Sequence, residues 1–138
     1  MQNSAEVKIA ESCDYGKQFA EIFYEKLDKG RHSLLKLYHR EATLVWNGNA
    51  VKGNGDIVVF FEKLPGSETH LLSVDAQPVE DLPQIQNQKM MSVLCSGKMK
   101  FPSASNNFMN FTESFLLVAE TDNDSHVWKI ISDVYRTH

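Results

Sequence analysis

Residues 107–136, NFMNFTESFLLVAETDNDSHVWKIISDVYR, decide the fold, because two strand-length apolar segments meet there at the turn Asp122-Asn123-Asp124. An antiparallel strand with one wet face should alternate cleanly between apolar and polar side chains. These two do not. In 126–136 one parity carries Val127, Ile131 and Tyr135, and the other carries Trp128, Ile130 and Val134. In 107–121 one parity has Met109, Phe111, Phe115 and Leu117, and the other has Phe108, Leu116 and Val118.

Upstream, the segments 69–80 and 88–101 read as two more strands, punctuated by Pro78, Pro83 and Pro102. Leu94 falls opposite in parity to Val93 and Cys95. Before the four strands the period changes to that of helices. Ile9, Cys13, Gly16, Ala20, Phe23 and Leu27 recur at three- and four-residue steps, with Phe19 and Ile22 broadening the stripe, so 5–28 reads as a long helix. Asn3 and Glu6 resemble a capping pair at its start. Gly16 costs that helix about 1 kcal/mol relative to alanine, which calls for a packing reason. A second helix over 31–38 turns Leu34, Leu35 and Tyr38 inward. Ala42–Trp46 and Ala50–Lys52 flank Asn47-Gly48-Asn49, the strongest short hairpin signal. A third helix, capped by Asn54, carries Ile57, Phe60, Phe61 and Leu64 before Pro65-Gly66 stops it.

Three helices followed by a meander predict one α+β domain over 1–138, with helices on one side of an antiparallel sheet. They can cover only one face. The mixed parities then leave an apolar second face, which reads as an interface met by another sheet; the alternative is that bulges exchange the parities within each strand.

Composition excludes several functions. The 138 residues are 42% hydrophobic and 23% charged with a net charge of −4, and no Lys/Arg cluster exceeds the pair Lys98 and Lys100. A direct nucleic-acid partner is therefore not expected. Cys13 and Cys95 lie far apart in apolar stretches and read as free thiols, with no metal spacing. No apolar run approaches the ~20 residues of a membrane span, and the polar start lacks a signal-peptide core, so a soluble intracellular protein is expected and the glycosylation matches at Asn110 and Asn123 count as chance. Gly53-Asn54-Gly55 lacks the rest of a dinucleotide fingerprint, and no cofactor is expected.

The order helix, helix, hairpin, helix and curved meander is that of the nuclear transport factor 2-like fold, a cone. Leu44–Val51 (LVWNGNAV) closely resembles the nuclear transport factor 2-related export proteins; so do FFEKLP at 60–65, Asp75-Ala76-Gln77-Pro78 and the ending Val127–Arg136. The resemblance spans nearly the whole chain. It implies three N-terminal helices on a strongly curved antiparallel sheet. It also implies a non-catalytic adaptor that heterodimerises through its sheet with the matching domain of a nuclear RNA export receptor. Contact with Phe-Gly nucleoporins would be indirect, and the protein would shuttle between nucleus and cytoplasm through the pore in support of mRNA export. On this reading Leu94, Thr112, Ile130, Val134 and Arg136 face the partner, and Arg136 meets a partner carboxylate.

Two rival functions share the fold. A homodimeric Ran-GDP import carrier resembles the chain at Trp46, but it has an acidic residue where Asn47 stands and an acidic loop where Pro102-Ser103-Ala104-Ser105 stands. Trp46 itself reads as core. A small-molecule isomerase or dehydratase would need a catalytic Asp at the Trp46-Asn47 stretch and an open cone, which Phe60, Phe61, Phe111 and Phe115 would fill. The candidate titrating residues are Tyr24, His39, His70, Asp75, Glu113 and Asp133; no dyad is visible among them, and Asp75 and Asp133 are expected in turns, strand contacts or the dimer.

Overall fold

In the computed structural model, which describes residues 4–79, 89–122 and 125–138, helix α1 (Ser4–Lys29) is followed by a 3-10 helix (Arg31–Leu37). Strands β1 (Tyr38–Trp46) and β2 (Asn49–Lys52) form a hairpin, α2 (Asn54–Lys63) follows, and β3 (Glu68–Val79), β4 (Met90–Lys100), β5 (Met109–Asp122) and β6 (Ser125–Thr137) complete the chain. The class is α+β. The readings at Asn3–Glu6, Pro83 and Asn123, and the side chains of Ile9 and Cys13, lie outside the described residues.

Phe19, Ala20, Phe23, Tyr24 and Leu27 give α1 its buried stripe, whereas Ile22 is 46% exposed and does not widen it. A close packing contact accounts for Gly16. A Cβ there would stand 2.3 Å from Cβ of Ala76 on β3, so the helix lies against the strand at glycine distance. In the 3-10 helix Leu34 is buried and Leu35 is not, a correction that follows from its period of three. Tyr38 is buried, but as the first residue of β1.

The hairpin turn places Asn47 at φ 47° and Gly48 at φ 86°, as a two-residue loop of right-handed strands requires. At α2 the capping position belongs to Gly53 (φ 90°), not Asn54, which is already helical. The Gly53 amide donates to Ala42 O at 2.8 Å, so a backbone bond to β1 sets the helix start. Its end is clamped by Arg31, whose guanidinium donates to the carbonyls of Phe61, Leu64 and Pro65 while its Nε donates to Leu27 O. Asp28 completes the joint by accepting from Ser67 Oγ, Thr69 N and Thr69 Oγ1.

The six strands form one sheet in the order β2-β1-β6-β5-β4-β3. All neighbours are antiparallel except β1 and β6, which run parallel, so the expected antiparallel sheet is mixed. That pairing is possible because α2 and the whole meander separate the two strands in sequence. Bulges interrupt β3 between Leu71 and Ser73 and the β5–β6 ladder at Leu116/Leu117. The helices lie on one face, where Phe23 meets Tyr24, Phe61 and Phe115 edge-on at 4.8–6.5 Å. Trp46 is core: it stacks on Tyr135 at 3.7 Å, and Tyr135 stacks on Phe111 at 5.4 Å.

Candidate partner interface

On the face of the sheet away from the helices, the register brings one row together across five strands. Asp75 pairs with Leu94, Leu94 with Ser114, Ser114 with Val134, and Val134 with Val45. Leu94 is 50% exposed and Val134 43%, so the centre of this face is apolar and open. The next row runs Ser73, Ser96, Thr112 and Arg136; Ser73 and Ser96 are joined by a short hydroxyl–hydroxyl bond, and Thr112 Oγ1 shares a hydrogen bond with His138 Nε2 at 2.9 Å. Arg136 is exposed and forms no ion pair among the described residues. Small hydroxyls on either side of Leu94 and Val134 leave a surface with little relief, over which another sheet can lie.

Four of the five expected residues share this surface. Ile130 does not. It is fully buried, opposite Leu117 on β5 and Tyr38 on β1. Leu116 pairs with Ser132 but Leu117 pairs with Ile130, leaving Ile131 as the extra residue of a bulge. Beyond it the parities exchange, so Asp133 and Tyr135 point inward while Val134 and Arg136 point outward. The two explanations of the mixed parity thus hold in different places. The bulge sends Ile130 to the core, and Leu94 and Val134 remain uncovered.

Val45, Ser114 and Ser96 join the candidate surface, and sequence reasoning missed them. Val45 was within reach, because it alternates with the buried Leu44 and Trp46; the parallel β1–β6 pairing that brings it to Val134 was not.

Inside the cone two of the titrating residues, which formed no visible dyad in the sequence, come together. Glu113 and Asp133 are both fully buried, and Tyr24 and Tyr38 donate to them. Asp133 therefore serves the core, not a turn or the outer face. Burial and the neighbouring Asp133 carboxylate push the Glu113 carboxyl well above its ordinary range, and burial raises Asp133 to about 6. Phe61, Phe111 and Phe115 are buried in the core and Phe60 packs against it. An open groove of about 570 Å³ lies elsewhere, between α1 and β3, lined by Lys17, Glu21, Leu72 and Ser73 among others. His70 packs on Phe108 at 4.7 Å, and His39 lies 3.4 Å from Glu120. Lys100 bridges to Glu68 at 3.2 Å and covers the Phe108 ring. Among the described residues, no three His, Cys, Asp or Glu side chains converge as a metal site, and no helix is long and apolar enough to cross a membrane.

Comparison with known proteins places this geometry. The model of the nuclear transport factor 2 (NTF2) domain matches residues 15–137. NTF2-related export protein 2 of Mus musculus is 41% identical over 128 residues, 93% of this chain and 88% of that protein. Among solved structures, nuclear transport factor 2 from Cryptosporidium parvum superposes with a TM-score of 0.74 at 21% identity over 95% of each chain. A chain of the complex of yeast deubiquitinase Ubp3 and its cofactor Bre5 reaches 0.69 at 18% identity, covering 91% of this chain and 96% of that one. With a family model spanning the hairpin, the meander and most of α1, this chain belongs to the nuclear transport factor 2 domain family and is similar along nearly its whole length to the NTF2-related export proteins.

Proposed function

We propose that this chain is a non-catalytic adaptor that pairs, through the outer face of its sheet, with the matching domain of a nuclear RNA export receptor. The observation that carries the reading is the row Leu94, Ser114, Val134 and Val45, an apolar centre on a sheet that its own helices cover from the other side only. Similarity to the NTF2-related export proteins supports the class of partner. In this reading Thr112 and Arg136 complete the surface, with Arg136 supplying a charge that a carboxylate on the partner desolvates and orients. The protein would act in mRNA export, shuttling between nucleus and cytoplasm, with Phe-Gly nucleoporins contacted through the receptor and no nucleic acid or membrane bound directly.

The Ran-GDP carrier reading has less to stand on. Asn47 is engaged within the chain: its Nδ2 donates to Thr137 Oγ1 at 3.1 Å and its Oδ1 accepts from Thr137 N at 2.8 Å. The 102–105 loop contains no carboxylate to meet a basic partner. Catalysis has less still, because the acids in the cone are fully buried and bonded to tyrosine hydroxyls within a core rich in aromatic rings.

Co-expression with the receptor's matching domain tests the proposal, read by gel filtration with light scattering. A one-to-one complex is expected, with the chain by itself aggregated or self-paired. A well-behaved monomer that ignores the receptor domain would refute it.

A further inference from the structure

Glu113 and Asp133 lie on the inner face of neighbouring strands. In the β5–β6 register Glu113 pairs with Tyr135 and Asp133 with Phe115, so the two acids are diagonal neighbours, and neither is accessible to solvent. Each accepts one hydroxyl: Tyr24 donates to Glu113 Oε1 at 2.8 Å, and Tyr38 donates to Asp133 Oδ2 at 2.5 Å. The other two oxygens, Glu113 Oε2 and Asp133 Oδ1, find no donor among the described residues, and the register sets the two carboxyl groups side by side. One acceptor cannot satisfy another. A proton held between them satisfies both.

We propose that Glu113 and Asp133 form a single proton-binding site in the core, and that the folded protein holds one shared proton there at neutral pH. The surrounding groups leave the site no other source of compensation. From α1 it is faced by Tyr24, from β1 by Tyr38, from β4 by Cys95 and from β6 by Tyr135. None is a cation, and the ion pairs among the described residues are His39–Glu120, His70–Glu68 and Lys100–Glu68, away from the cone. Burial keeps both donor tyrosines in their hydroxyl form, raising them well above their ordinary range, and holds the Cys95 thiol protonated by lifting it to about 12. Two ionised carboxylates would therefore be two uncompensated buried charges on neighbouring positions. One proton reduces them to a single anion that receives both tyrosine hydroxyls.

The linkage has a definite sign. Both carboxyls titrate higher in the folded chain than in the unfolded one, where they take ordinary values of 4.5 and 3.8. Their contribution to stability is complete below those values. It declines as pH rises through them, because the unfolded chain releases protons that the folded chain keeps, and it is lost once pH exceeds the folded values. Across that window each proton taken up on folding lowers the folding equilibrium by about tenfold per pH unit.

Two measurements on the full chain test the site. Infrared spectra at neutral pH should show the C=O stretch of a protonated carboxyl in the folded protein. It should vanish on unfolding in urea and be missing in Glu113→Gln, whose amide donates permanently where the proton sat. Urea unfolding as a function of pH should then show a steeper decline for wild type than for Glu113→Gln, by close to one proton. Absence of the band from the folded wild type, or parallel pH profiles, would overturn the proposal. Should Glu113→Gln not fold, Asp133→Asn supplies the same comparison, and the wild-type band decides without any variant.

Discussion

Along β5 the inner face reads Phe111, Glu113 and Phe115, while the outer face reads Thr112, Ser114 and Leu116. The inner residues are fixed by aromatic neighbours and, at Glu113, by a tyrosine hydroxyl; on the outer face Ser114 is exposed and Thr112 is half-buried, sharing a hydrogen bond with His138. Two surfaces separated by the thickness of one strand thus face opposite demands. Substitutions inside should change stability whatever the partner does. Those outside should change pairing and leave the fold alone.

Phe115 gives the largest expected effect. It is buried between Phe19, Phe23 and Tyr24, so Phe115→Ala should destabilise the chain by about 3–5 kcal/mol. Urea denaturation followed by circular dichroism measures this. A loss below about 1 kcal/mol, on the scale of a surface change, would break the assignment of this face as the rigid one.

On the outer face, Val134→Asp and Arg136→Glu should each weaken the proposed pairing with the receptor domain by about 2–5 kcal/mol, since each would leave a charge unmatched on the surface that pairing desolvates. At concentrations where the chain is monomeric, the same variants should unfold within about 0.5 kcal/mol of wild type. Calorimetric titration and urea melts on the same samples separate the two quantities. Unchanged affinity with unchanged stability would mean that this face meets nothing.

The inner face of α1 and α2's apolar stripe were legible from the 3.6-residue period, the hairpin from Asn47-Gly48, and the four long strands as apolar stretches bounded by prolines and turns. Ile130 was not legible. A bulge inserts one residue without any marker in the residues themselves, and everything downstream changes face; Ile131 beside Ser132 looks like any other apolar–polar step. The acid pair was hidden for a related reason. Glu113 and Asp133 stand 20 residues apart in the sequence, and only the β5–β6 register makes them neighbours. Their tyrosine donors come from α1 and β1, still further away. Gly16 lay between these cases. Its cost to the helix announced a close approach, and the partner, Ala76, emerged only from the packing of α1 on β3.

Arg31 tests whether the helical layer, which covers only one face, is held as firmly as the core beneath it. Its guanidinium joins the end of α1 to the end of α2 through four carbonyls. Arg31→Ala leaves those carbonyls without their charged donor and should cost about 1–3 kcal/mol, measured by urea unfolding. Arg31→Lys should recover only part of it, because an ammonium cannot span the fork of acceptors. Full recovery by lysine would reduce the clamp to a point charge.

The smallest effect belongs to Asn47, at the seam between the two faces. It adopts φ 47° in the hairpin turn, where asparagine is better tolerated than most side chains, and it ties that turn to Thr137 at the end of β6 by two hydrogen bonds. Asn47→Ala should cost about 1–2 kcal/mol, from the left-handed backbone together with the lost bonds. Asn47→Gly removes the backbone strain and loses the same bonds, so the difference between the two variants isolates the conformational part. Both should leave the exchange protection of β4 and β5 amides intact while releasing those at the end of β6, which hydrogen exchange resolves. Arg136 sits one residue before Thr137, so a frayed β6 end should weaken pairing by less than Arg136→Glu does. Equal losses would show that the seam, and not the arginine, governs the partner surface.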